Sequence, residues 1–142
     1  MGVSTDAILF YGICFEELGT GEYPWEIGYD GYDEWMASLY GLEPPEGDYS
    51  EETRPKYNRY WNEKQKILKG TGLEIGYHCS DQYTMYYLTV KDSEIRAHRG
   101  YPESLKTLEI GEDWDAKIRD FCERADFGKD ENVGWWLVSW WG

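Results

Sequence analysis

Leu73-Glu74-Ile75-Gly76-Tyr77-His78-Cys79 sets apolar residues at every second position. That is the period of a strand buried on one face and wet on the other. Ser80-Asp81-Gln82 supplies turn chemistry, and Tyr83 to Val90 resumes as a second strand. Lys91-Asp92-Ser93 is another turn, followed by a short third strand from Glu94 to Arg99 with Ile95 and Ala97 inward. Three strands joined by tight turns predict an antiparallel meander.

Working outward, Ala7 to Phe15 is apolar at odd and even positions alike, which suits a strand covered on both faces. Gly134 to Trp141 has the same character and predicts a central strand. Glu112 to Phe127 predicts a helix, because Trp114, Ile118, Phe121, Cys122 and Ala125 fall on one helical face and Gly128 follows as a stop. Leu18 to Tyr29 is interrupted by Gly19, Gly21, Pro24 and Gly28 and predicts a loop. Asp30 to Tyr40 predicts a short helix closed by Gly41, and Glu43-Pro44-Pro45-Glu46-Gly47 a break. Ser50 fits an N-cap for a second helix, with Pro55 moving its start toward Arg54. Its stripe is Tyr57, Tyr60, Trp61, Lys64, Ile67 and Leu68, and Gly70 ends it. Strands and helices mix without βαβ regularity. The expected fold is α+β: a single domain over residues 1–142, with a largely antiparallel sheet of about five strands and two or three helices. No repeat, low-complexity segment or linker interrupts it.

Charge divides the chain in two. Residues 1–53 hold 13 carboxylates and no Lys or Arg, whereas the remaining 15 carboxylates stand against all 14 basic side chains. Trp25, Tyr29, Tyr32 and other aromatics are threaded through the acidic part. A net charge of −14 argues against direct binding of nucleic acid or anionic membrane. An aromatic content of 18% belongs to a folded chain rather than a disordered acidic one. Acidic groups on a surface can imitate phosphate rows and compete for proteins that hold DNA through Lys and Arg. Tyr and Trp are favoured interface anchors. The candidate partner-binding residues are therefore Glu16, Glu17, Glu22, Trp25, Glu26, Tyr29, Asp30, Tyr32, Asp33 and Glu34. Against this stands a solvated acidic face, or one covered by the second helix. That helix carries Arg54, Lys56, Arg59, Lys64, Lys66 and Lys69 against Glu63, and could meet the acids within the fold or in a homodimer.

Catalytic and metal signatures are weak. His78 and Cys79 lie on opposite faces of one strand and cannot pair. A metal site from His78, His98, Asp81 and a distant Cys would need remote residues to converge, and no metal-ligand spacing is present. No catalytic residue, metal or cofactor is expected, so the chain is not expected to be an enzyme. Aromatics with paired carboxylates are also the ingredients of sugar-binding clefts and small hydrolases, which remains an alternative. Cys14, Cys79 and Cys122 match no redox motif and suit reduced thiols. With no secretory pattern and no apolar run of spanning length, a soluble cytoplasmic protein is expected.

The start, Ser4-Thr5-Asp6-Ala7-Ile8-Leu9-Phe10-Tyr11-Gly12-Ile13, the middle run Ile75 to Tyr83, and the finish, Gly134-Trp135-Trp136-Leu137-Val138-Ser139-Trp140-Trp141, together form a pattern. In these segments the chain resembles small acidic proteins of bacteriophages and bacteria. That group has no activity to carry over. The resemblance implies a phage-type accessory protein in host bacterial cytoplasm, such as an inhibitor of CRISPR or restriction systems. The expected partner is a basic host protein or ribonucleoprotein complex. The basic helix departs from uniformly acidic DNA mimics.

Overall fold

The apolar run near the start folds as β1, Thr5–Cys14. The computed structural model of the chain describes residues 4–15, 23–105 and 108–141. Its two compact units are Met1–Glu17 with Gly72–Gly142, and Leu18–Thr71. The fold is α+β, with five strands and three α-helices among the described residues.

In the first unit β1 is the shared strand. One edge pairs antiparallel with β5, Val133–Trp141, from Thr5 against Trp141 to Ile13 against Val133. The other edge is divided between two partners. Asp6 to Leu9 pair with β4, Ile95–His98, and Gly12 to Cys14 with β3, Thr84–Val90. β3 runs back antiparallel on β2, Leu73–Cys79, which meets β5 in one parallel bridge between Cys79 and Trp140. The order is β3-β2-β5-β1-β4, and the extra pairing of β3 with β1 closes four strands into a ring.

The predicted meander is thus corrected after its first hairpin. β4 does not continue along β3 but crosses to β1, where it satisfies backbone groups that β3 does not reach. The 3₁₀ turn Lys91–Ser93 fills the gap between the two partners. Tyr11 N–H donates to Ser93 Oγ at 2.9 Å, and Ser93 donates to the Val90 carbonyl at 2.6 Å.

Inside the ring Ile8, Phe10 and Tyr87 form the core, with Cys14, Trp136, Val138 and Trp140 packed around them. Phe10 and Tyr87 stack at 4.1 Å between centroids. Two glycines make this possible. A Cβ on Gly12 would lie 1.9 Å from the Leu88 carbonyl oxygen, and one on Gly76 would lie 2.3 Å from the Tyr87 ring.

The other face of β1 carries α3, Trp114–Ala125, whose Ile118, Phe121 and Cys122 are buried. Tyr11 fixes it there: its hydroxyl donates to Asp115 Oδ1 at 2.6 Å, and its ring forms a triangle of contacts with Trp114 and Trp135. β5 takes the central place expected of it, although its two apolar faces are unequally covered. Trp136, Val138 and Trp140 pack against the core, whereas Leu137 is 72% exposed and Trp141 about half exposed. Helix length explains the difference: 12 residues of α3 span about 18 Å, against about 30 Å for the strand.

The second unit contains the 3₁₀ turn Pro24–Glu26, α1 at Tyr32–Leu39 and α2 at Arg54–Thr71. Gly41, with φ of 90°, reverses the chain after α1, and Leu42 N–H returns to the Ala37 carbonyl at 3.2 Å. The turn before α2 is a reciprocal cap. Ser50 N–H donates to Thr53 Oγ1 at 2.8 Å and Thr53 N–H to Ser50 Oγ at 3.3 Å. Among the described residues no helix is long and apolar enough to cross a membrane.

Two outcomes test the first unit. Gly12→Ala should destabilise the fold by roughly 3 kcal/mol or more, because the obstacle is backbone rather than a movable side chain. Tyr11→Phe should cost about 1–2 kcal/mol in denaturant titrations at neutral pH. The Asp115 carboxylate, then burial, pushes the Tyr11 phenol up to about 12. The fold therefore favours the protonated phenol, and this contribution is complete below pH of about 10, the ordinary Tyr value. The deficit of the variant should shrink as pH rises from there through about 12, and a constant deficit would contradict the assignment.

Candidate functional site

Tyr57, Tyr60, Trp61 and Lys64 recur at helical spacing and share one face of α2. Facing them are Asp30, Asp33 and Glu34, at the start of α1, and Asp48 and Tyr49, from the segment that leads into α2. These nine residues line a cavity of about 500 Å³. All lie within the unit Leu18–Thr71.

Local hydrogen bonds hold the walls. The Tyr57 hydroxyl donates to the Gly47 carbonyl, tying the segment before α2 to the helix. Thr53 Oγ1 donates to the Asp48 carbonyl at 2.9 Å. On the other side Asp30 N–H donates to Glu34 Oε2 at 2.7 Å, which orients that carboxylate. The rings then order one another. Tyr49 stacks on Trp61 at 5.7 Å with 29° between planes, and meets Tyr57 edge-on at 5.5 Å. Tyr57 and Trp61 are 5.8 Å apart.

Four carboxylates and one ammonium share the cavity. Among the described residues none of Asp30, Asp33, Glu34 and Asp48 forms an ion pair. Lys64 Nζ instead sits 5.4 Å from the centre of the Tyr60 ring, at the distance of a cation–π contact. Tyr60 is 6% exposed, and its enclosed hydroxyl makes no well-aligned hydrogen bond, although the Glu34 carboxylate acts on it. Burial pushes this phenol up to about 12, with Glu34, Glu43 and Asp30 adding to the effect. Tyr60 thus registers the negative potential around it.

Of the ten candidate residues read from the sequence, Asp30, Asp33 and Glu34 line the cavity. Glu16, Glu17 and Glu22 lie outside the described residues. Glu26 is exposed and accepts a hydrogen bond from Tyr23 N–H at 3.2 Å. Tyr29 and Tyr32 are half-buried. Trp25 is corrected from anchor to core: it is 3% exposed, stacked on Tyr23 and in contact with Trp35. An enclosed ring of this kind cannot meet a partner. Asp48, Tyr49, Tyr57, Tyr60, Trp61 and Lys64 were not among the candidates, although the stripe on α2 already joined four of them. Of the six cations on α2 only Lys64 lines the cavity, and Arg54 pairs with Glu51 at 3.5 Å.

Among the described residues a second cavity, of about 620 Å³, sets Arg119 and Lys129 against Glu123 and Glu131 and so lacks the one-sided charge of the first. His78 turns toward Cys14, with Nε2 3.7 Å from Sγ. Burial lowers the imidazole and raises the thiol, so the neutral pair is favoured over the ion pair of a nucleophilic cysteine. His98 lies 3.0 Å from Asp6, beside Arg96. Burial alone would raise Asp6, but hydrogen bonds from His98 and Arg96 outweigh it and hold the carboxyl low. The two histidines thus serve separate contacts. Among the described residues no three His, Cys, Asp or Glu side chains are grouped to hold a metal ion.

Selectively labelled tyrosine should show the Tyr60 resonance titrating near pH 12, and Glu34→Gln should lower that value by removing the nearest negative influence. An unchanged value would show that burial alone sets it. Comparison of the chain with protein-family models, curated proteins and solved structures finds no match.

Proposed function

We propose that this protein is a non-enzymatic inhibitor of phage type, whose acidic aromatic pocket engages a basic, nucleic-acid-handling surface of a host defence complex. The observation that carries this reading is the pocket's charge: four carboxylates without ion pairs, among aromatic walls, with one ammonium between them. Carboxylates concentrated in a concave surface strengthen one another's field and attract cationic groups. Rings beside them supply apolar contact and cation–π attraction. The absence of Lys and Arg from residues 1–53 accords with the same preference. A neutral sugar can donate hydroxyl hydrogen bonds to carboxylates but brings no charge to balance four of them, which favours a basic partner over a carbohydrate. The cations of α2 leave the pocket acidic, which favours a separate partner over self-neutralisation.

A pull-down from bacterial lysate at low and high salt tests this. A nucleic-acid-binding subunit should be retained at low salt, released by high salt and displaced by added nucleic acid. It should also be lost when Asp30→Lys, Asp33→Lys and Asp48→Lys are combined in a variant with unchanged melting. Association governed by such charges should slow as ionic strength rises. Retention insensitive to salt and to the triple variant, or recovery of the same chain alone, would overturn the reading. The second result would indicate the homodimer.

A further inference from the structure

We infer that the pocket is a seat for a single arginine side chain, and that Lys64 is a built-in placeholder which that arginine displaces. This rests on the basic-partner reading and names the group that enters.

The cation already present shows what is missing. Lys64 lies over the Tyr60 ring, yet its ammonium pairs with none of the four carboxylates around it. A point charge on a tether takes the π-face and leaves the acceptors unused. A guanidinium carries five N–H donors in a planar fork, which can bridge carboxylates, and its flat faces stack on aromatic rings. The walls match both properties. Tyr49 and Trp61 present nearly parallel planes, with Tyr57 edge-on beside them. Asp30, Asp33, Glu34 and Asp48 supply acceptors in the same cavity.

The phenol beneath that ammonium belongs to the same arrangement. Tyr60 lines the cavity with a side chain 6% exposed, and its enclosed hydroxyl lies under the influence of the Glu34 carboxylate. Guanidinium is also more weakly hydrated than ammonium, so it enters an enclosed aromatic site at lower cost.

Displacement of Lys64 follows from charge. Two cations cannot share one ring face without repulsion, so the entering guanidinium must drive the ammonium outward. Lys64 therefore weakens binding although it lines the site. Its removal also deepens the negative potential that the ligand meets.

The test titrates the full chain, by NMR, with three short Gly-Ser peptides that differ at one position: arginine, lysine or neutral citrulline. The arginine peptide should bind most tightly, with lysine weaker and citrulline weakest. Lys64→Gln should tighten binding of the arginine peptide about three- to ten-fold, the size of one cation–π contact expressed as affinity. Asp33→Asn and Tyr49→Ala should each weaken it. A lysine that serves only the fold would give the opposite sign, with Lys64→Gln neutral or harmful. Equal affinity for the three peptides, no tightening in a folded Lys64→Gln protein, or no shift up to roughly 1 mM peptide would overturn the inference. Failure of the two proposals is distinguishable. Arginine selectivity with no host subunit retained would remove the partner reading and leave the seat. A salt-sensitive host subunit unaffected by Lys64→Gln, with no peptide preference, would do the reverse.

Discussion

The close approach of Gly12 to the Leu88 carbonyl is the constraint on which the first unit depends. β1 holds β5 along its whole length but divides its other edge between β4 and β3. Only a residue without a Cβ lets β3 come near enough to take up the pairing where β4 ends. Ser93 then covers the backbone of Tyr11 at the junction. Without that approach the ring would open and the stack of Phe10 on Tyr87 would face water. Its closure is a matter of shape before it is one of hydrophobicity.

Local periodicity was a sound guide to what each segment is. Leu73–Cys79 folds as the strand its alternation predicts, and α2 starts at Arg54, where Pro55 places it, with Ser50 in the turn ahead of the helix rather than at its N-cap. Pairing was less legible. Ile95 and Ala97 alternate as they would in any strand, and nothing in Glu94 to Arg99 says whether β3 or β1 is the neighbour. That choice is made by a glycine and a serine far apart in sequence. Coverage was less legible still: Leu137 is apolar and yet exposed, because α3 is shorter than the sheet it lies on.

The site shows a related limit. Acidic residues announced themselves by their number, and Asp30, Asp33 and Glu34 are where charge alone suggested. The aromatic wall was hidden in plain view, because Tyr57, Tyr60 and Trp61 at helical spacing look like the buried side of any amphipathic helix. Lys64 within that stripe was the signal: a lysine amid rings marks a face that is only partly enclosed. Trp25 misled for the converse reason, since a Trp flanked by Pro24 and Glu26 reads as exposed until Tyr23 and Trp35 are seen to enclose it.

The pairing of Thr5 with Trp141 also bears on how the protein comes into being. A ribosome releases β1 before β5, so β1 must wait with one edge open until the segments between them have been made. Contacts this distant in sequence close slowly, and open strand edges invite pairing with other chains. The hairpin of β2 and β3 and the helices of the second unit are local and can form while β1 waits. The sheet is completed only once β5 has emerged, so truncation within β5 removes the lock of the ring rather than its trim.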